Sequence, residues 1–103
     1  MNTRKSFYGR ELERKYGRMT FGRFLISWRT SEGLSQADFA RKLGLSSANL
    51  CDLEQRRRIP GPSRAKKIAR KLGLPEKGLI ALALQDTLRN EGLKYSVVLE
   101  EAA

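Results

Sequence analysis

Apolar residues recur at helical spacing along most of the chain, in stretches separated by residues that favour helix ends. The first stretch places four large apolar side chains on one helix face, at positions i, i+3, i+4 and i+7: Phe21, Phe24, Leu25 and Trp28. Thr20 can cap the start of this helix, and Gly33 can end it. Aromatic residues at this spacing are typical of a packed core rather than of a surface that stacks bases.

The segment 35–54 predicts two short helices joined by a tight turn. Gly44 lies where the first helix must end, because glycine readily adopts a positive φ. Ser46 is a good N-cap for the second helix, and the small Ala40 lets the two helices cross closely. The inner faces and the turn are apolar: Phe39, Leu43, Leu45, Leu50 and Leu53. Outside on the second helix remains a strip of small or polar side chains: Ser47, Ala48, Cys51, Asp52 and Gln55. Such a strip can enter a major groove.

A fourth amphipathic helix follows a basic loop. Pro62 suits its first turn, and Gly73 ends it. Its inner stripe is apolar: Ala65, Ile68, Ala69 and Leu72. Its outer stripe is basic: Arg64, Lys66, Lys67, Arg70 and Lys71. This outer stripe suits either an approach to DNA or a solvated surface.

The fifth predicted helix opens at Pro75 and Glu76 and is apolar around most of its circumference: Leu79, Ile80, Leu82, Ala83, Leu84 and Leu88. This is more than one packing surface needs, so the helix either inserts deeply or contributes to a symmetric dimer. The segment 93–101 alternates, with Tyr95, Val97 and Leu99 on one side, and predicts a short strand. Because an isolated strand is unstable, we expect it to pair with its twofold mate or with another chain.

The hydrophobic pattern as a whole predicts an all-α fold of five helices around one core. We divide the chain into a basic N-terminal arm over residues 1–18, a helical domain over 19–90 and a C-terminal tail over 91–103. The arm suits either a contact along a phosphate backbone or minor groove, a frayed tail, or a short helix packed on the core.

Charge points to a nucleic-acid partner. Lys and Arg number 21 against 11 acidic residues, for a net charge of +10, and such an excess favours a polyanion. The excess is largest over residues 19–75, where 12 basic residues face four acidic ones. Three consecutive arginines at positions 56–58 follow the second motif helix and are the strongest candidates for phosphate contacts.

The sequence gives little support for an enzyme, a metal-binding protein or a membrane protein. The single cysteine excludes an internal disulfide, and with no histidine the sequence offers no zinc set and no base to activate Cys51. We therefore expect neither an enzyme nor a bound cofactor. No apolar run reaches the ~20 residues that span a bilayer, and no secretion signal is evident, so we expect a soluble cytoplasmic protein.

The motif and its surroundings resemble the helix-turn-helix domain of phage repressors and Cro proteins, the XRE family, over roughly residues 19–75. Matching features are Gln36 at the start of the first motif helix, Ala40 and Gly44 at their spacing, and the apolar-Glu pair of Leu53 and Glu54. A Ser-capped recognition helix, a basic loop ending in Pro60 and the pattern of the following helix also match.

The resemblance implies roles for several residues. It pairs Arg29 with Glu54 in a structural clamp between the first helix and the recognition helix. It implies that Gln36 contacts a phosphate, which the free amides of a helix N-terminus also favour, and Ser35 caps that helix and can touch the same phosphate. In relatives, a glycine stands at the position of Arg56, so the recognition helix could end differently here.

The recognition strip is where bases would be read. Relatives often carry long amides at the positions of Ser47 and Ala48, whose side chains here are too short for bidentate contacts with adenine. Ala48 could contact a thymine methyl group, Asp52 could accept from cytosine N4, and Asn49 or Gln55 could reach a base or a phosphate.

The sequence thus favours a homodimer that binds double-stranded DNA and represses transcription, with the dimer formed through the fifth helix and the C-terminal strand. One alternative is the antitoxin of a toxin-antitoxin pair, in which the tail or arm binds a protein toxin. Another is nonspecific binding of DNA or RNA.

Overall fold

The computed structural model describes residues 18–102, which form five α-helices. In chain order these are α1 (Phe21–Ser31), α2 (Gln36–Leu43), α3 (Ser47–Glu54), α4 (Pro62–Leu72) and α5 (Glu76–Asn90). The predicted all-α fold is confirmed, and Thr20, Ser35 and Ser46 cap the three helices that they were expected to cap. The expected N-terminal arm lies outside the described residues except for Arg18.

Four of the five described helices are followed by a left-handed glycine and then a leucine. The glycines are Gly33, Gly44, Gly73 and Gly92, with φ between 68° and 75°. After α2, for example, the N–H of Leu45 donates to the carbonyl of Ala40 at 2.8 Å, which closes the last turn. The end of α3 has no glycine, and Arg56 takes the left-handed conformation there, with φ 62°.

One hydrophobic core holds α3 in place from its inner side. Its largest fully buried side chains come from four helices: Phe21, Leu25, Phe39, Leu50 and Ile68. Helix α3 packs against α1 and α2, while α4 packs mainly on α5. Burial of Leu50 and Leu53 fixes the rotation of α3, so its opposite side faces outward.

The start of α1 lies directly against the end of α3. Gly22 makes this approach practicable, because a Cβ atom there would lie 2.5 Å from the carbonyl oxygen of Leu53. The free amide of Phe21 donates to Asp86 Oδ2 of α5 at 2.7 Å. The N-terminus of α1 is thereby tied to both α3 and α5.

Helix α5 is partly buried on most sides, and the tail runs back along it. Leu79 and Ala83 belong to the core. The Gln85 amide holds the tail against α5, since its Nε2 donates to the carbonyl of Tyr95 at 2.7 Å and its Oε1 accepts from the N–H of Val97 at 2.8 Å. Residues 93–102 form no regular secondary structure, and the strand expected there stays a prediction.

Candidate nucleic-acid interface

The N-terminus of α2 is exposed and is the candidate phosphate site that the sequence predicts. Ser35 Oγ accepts from the N–H of Asp38 at 3.1 Å, so the cap satisfies one of the first amides. The N–H groups of Gln36 and Ala37 have no acceptor within the helix, as at any helix start. Because they carry the positive end of the helix dipole, a phosphate is well accommodated at this position.

The side chain of Gln36 is hydrogen-bonded to a buried residue of the protein. Its Nε2 donates to Glu54 Oε1 at 3.0 Å. Sequence reasoning directed this amide toward a phosphate and did not anticipate its partner. With one Nε2 hydrogen engaged, the other hydrogen and the backbone N–H remain as donors to an outside anion.

Glu54 also binds Arg29, as the resemblance implied. Arg29 Nε donates to Glu54 Oε2 at 2.8 Å and Nη2 donates to Oε1 at 3.2 Å, in a bidentate pair. The Glu54 side chain is 1% exposed and that of Arg29 is 20% exposed. One buried carboxylate therefore joins α1, the start of α2 and the end of α3, and it ties the start of α2 to the helix end from which the arginines follow.

The outer face of α3 presents the strip that the hydrophobic pattern left outside. Ser47 and Ala48 are exposed at the start of the helix, and Asn49 and Asp52 are half-buried. Ser46 Oγ accepts from the N–H of Asn49 at 3.0 Å. The four candidate base-reading residues thus lie on one short helix whose opposite side is buried.

The end of α3 shapes the arginine loop, residues 56–58. Arg56 N–H donates to the carbonyl of Leu53 at 3.2 Å, and Arg57 N–H donates to that of Asp52 at 2.9 Å. These are the two bonds of a Schellman motif. The helix consequently ends as it would with glycine, although a side chain in this conformation costs about 1–2 kcal/mol.

In the structure, the candidate base reader Asp52 lies beside two candidate phosphate ligands, Arg57 and Arg58. The sequence pattern did not predict this contact. Arg57 Nε donates to Asp52 Oδ1 at 2.9 Å, and Arg57 Nη2 lies 3.2 Å from the sulfur of Cys51. Arg58 Nε lies 3.9 Å from Asp52 Oδ2. The hydrogen bond to Asp52 raises the pKa of Arg57 above its ordinary value. A candidate base reader therefore pairs with candidate phosphate ligands, and five-residue spacing across a helix end is the only sequence signal for this contact.

The basic outer face of α4 is partly engaged within the protein. Arg70 Nη2 lies 3.7 Å from Glu76 Oε1. The ammonium of Lys71 lies directly over Gly44, at the C-terminal end of α2, where a positive charge complements the helix dipole. Both contacts orient these side chains toward the protein.

Two further observations concern residues 18–102 alone. None of their helices combines the length and the hydrophobicity needed to cross a membrane. No cluster of three or more His, Cys, Asp or Glu residues is arranged there to hold a metal ion.

Comparison with known proteins gives one match. A protein-family model described as helix-turn-helix matches residues 25–79, which is more than half of the chain. The matched range contains α2, α3 and the arginine loop. No curated protein and no solved structure matches the chain significantly.

Proposed function

The chain belongs to the helix-turn-helix family of Cro and phage-repressor-type DNA-binding regulators, and on this premise we propose that it represses transcription as a homodimer bound to a specific operator. The observation that supports the proposal is that the outward-facing α3 strip is flanked in sequence by an exposed helix start and by three consecutive arginines. The exposed start of α2 lies before the strip in sequence, and the arginine loop follows it directly.

The dimensions suit a major groove. With its side chains helix α3 is about 10–12 Å across, as α-helices are, which fits the ~12 Å width of the major groove in B-DNA. Bulky side chains do not obstruct its outer face, because Ser47 and Ala48 are small. We assign Ser35, Gln36 and the arginine loop to the phosphates.

Base reading is assigned to the outer strip. Ala48 suits contact with a thymine methyl group, and Asp52 suits acceptance from cytosine N4. Ser47 and Asn49 are further polar residues of α3 that can reach base edges. Short side chains require a close approach of the helix, which the small residues at the start of α3 permit.

Dimerisation is assigned to α5 and the tail. Leu84 and Leu88 on α5 are only half-buried in the single chain. Tyr95 and Val98 in the tail are 70% and 80% exposed. Apolar surface of this kind is typical of an interface. A twofold dimer would place two α3 helices in successive major grooves about 34 Å apart.

The exposed tail also supports a second candidate function. An extended apolar segment can add to a sheet edge in another protein, as an antitoxin tail would when it binds its toxin. Co-purification of a small partner protein that is lost after truncation at residue 93 would favour this function. The two candidates are compatible, since an antitoxin can repress its own operon.

Selection of bound fragments from random duplexes at physiological salt tests the main proposal. We expect a consensus with twofold symmetry and half-sites about 10 base pairs apart. Arg56→Ala should then weaken binding to all duplexes alike and lower the salt slope by about 0.9, whereas Asn49→Ala should change the preferred bases. Lys42→Ala, which removes one exposed charge from the last turn of α2, is the control and should do neither.

Equal affinity for the selected duplex, random duplex and RNA would overturn the proposal. It would indicate that the protein binds nucleic acid without reading sequence. In that case, the Asn49 variant should show no altered preference.

A further inference from the structure

We propose that Asp52 serves as an internal counterion for the arginine loop, so that the hold of these arginines on DNA depends on what Asp52 meets in the groove. The inference rests on the proposed function, because it concerns how the same surface distinguishes sequences. It assigns to Asp52 a second role, in addition to the direct base contact already proposed.

The pairing of Asp52 with Arg57 is built into the end of α3. In a Schellman motif the residue after the left-handed position comes to lie beside the third residue from the helix end. After the other four described helices that residue is a leucine, and three of the four leucines pack against the core: Leu34, Leu45 and Leu74. At the end of α3 it is Arg57, and the residue beside it is Asp52. The helix end therefore brings the two charged side chains together.

Three contacts keep the Arg57 side chain on α3. Its backbone N–H donates to the carbonyl of Asp52, its Nε donates to the Asp52 carboxylate, and its Nη2 reaches the sulfur of Cys51. The guanidinium consequently lies over the outer face of α3 in the free protein. Two of its five N–H donors are thereby engaged on α3 rather than with a phosphate.

The Asp52 carboxylate also lowers the affinity of the arginine loop for phosphates. Asp52 Oδ2 is 3.9 Å from Arg58 Nε, so one negative charge faces two of the three arginines. A phosphate approaching the loop competes with Asp52 for both of them. Because backbone binding accounts for nearly all nonspecific affinity, Asp52 selectively weakens the binding of random DNA.

A matching base reverses this effect. The exocyclic amine of cytosine offers N–H donors in the major groove and can replace the guanidinium at the Asp52 carboxylate. Arg57 is then free to reach a phosphate, with release of counterions. At other bases, Asp52 either retains Arg57 or lies unpaired beside base acceptors, and both outcomes cost affinity.

The test is Asp52→Asn in the full-length protein, with binding to a labelled random-sequence duplex measured by fluorescence anisotropy over a range of salt concentrations. Freeing one arginine for a phosphate steepens the salt slope by about 0.9, which corresponds to about fivefold tighter binding at 0.15 M salt. The ratio of affinities for selected and random duplex should fall by at least the same factor. The pair lies at the surface, with the Arg57 side chain 58% and the Asp52 side chain 30% exposed, so we expect an unchanged fold, which circular dichroism checks.

Glu76→Gln is the matched control. It removes the same charge and breaks another exposed pair of a carboxylate and an arginine, that of Glu76 with Arg70, but it lies away from α3. We expect it to leave the salt slope unchanged. In an Arg57→Ala background, the gain from Asp52→Asn should largely disappear.

The inference is overturned if Asp52→Asn and Glu76→Gln have the same effect on affinity and salt slope for random duplex. It is also overturned if the gain persists undiminished without Arg57. Both results are separate from failure of the proposed function, which would appear as the absence of a symmetric consensus for the unaltered protein. Absence of binding to any duplex would overturn both.

Discussion

Replacing Gly22 with alanine is expected to destabilise the protein by forcing α1 away from α3. In a helix, alanine is normally the better residue, by about 0.5–1 kcal/mol. At this position the added methyl group would lie 2.5 Å from the carbonyl oxygen of Leu53 and 2.7 Å from that of Glu54. The expected effect is therefore opposite in sign to the intrinsic preference.

The size of the effect follows from these distances. Ordinary van der Waals contact begins near 3.4 Å, so the two helices must separate by about 0.9 Å. Both opposing atoms belong to the backbone at the end of α3 and cannot rotate aside. Overpacking of this kind costs about 1–3 kcal/mol, and we expect the upper end of that range. After the gain in helix preference, the net loss is about 2 kcal/mol, which lowers the melting temperature by about 8–16 °C in a domain of this size.

Gly78→Ala provides the matched comparison. Gly78 also lies in a helix, but a Cβ atom there would have no neighbour within 4 Å, so this variant should gain about 0.5–1 kcal/mol. Urea unfolding followed by far-ultraviolet circular dichroism measures both changes. If Gly22→Ala proves as stable as the unaltered protein, or gains stability as Gly78→Ala does, the close approach of α1 to α3 is refuted.

Three further predictions concern buried charge and backbone strain. Arg29→Met leaves the carboxylate of Glu54 buried without its guanidinium and should cost about 3–5 kcal/mol in urea unfolding; a cost below 1 kcal/mol would show that the pair does not act as a clamp. Arg56→Gly should raise stability by about 1 kcal/mol, because glycine adopts a positive φ without strain, yet weaken binding to every duplex. Burial raises the pKa of Asp86 above its ordinary 3.8, against the opposing hydrogen bond from Phe21. Since the folded chain then holds the proton more tightly, the contribution of Asp86 to the unfolding free energy should fall as the pH rises from 3.8 through the raised pKa. The difference between the unaltered protein and Asp86→Asn should follow this fall, and a difference that rises across the range would contradict the assignment.

Helix ends were the part of the fold that local sequence revealed best. Glycine followed by leucine marks the end of four described helices, and a serine or threonine begins three. The residues that follow α3 include neither glycine nor leucine. The geometry of this helix end therefore could not be predicted from the local sequence. Arg56 is left-handed because the hydrogen bonds of the helix end require that conformation.

The contacts between distant segments could not be predicted in the same way. Gly22 stands within an apolar stretch, and nothing nearby indicates that a backbone carbonyl lies across from it. Asp86 follows the apolar stretch of α5 and is buried, but its partner Phe21 is 65 residues away. The bond from Gln36 to Glu54 likewise depends on how α2 and α3 pack.

In the candidate interface, too, the sequence predicted which residues face outward but not which side chains contact one another. Periodicity assigned Ser47, Ala48 and Asp52 to the outer face of α3, since the buried leucines fix which side turns outward. It treated Arg57 and Asp52 as separate ligands, because a pattern of residues does not show that a helix end brings two side chains together. The pairing changes the expected behaviour of the site, from independent contacts to a competition between the carboxylate and phosphate.

The most direct test of the central claim is a titration of the ¹⁵N-labelled protein with a duplex obtained by selection, followed through its backbone amide resonances. If α3 lies in the major groove between two phosphate contacts, the largest shifts should fall at residues 35–37 and 46–58. Shifts confined to α5 and the tail, with α3 unaffected at saturation, would contradict the account.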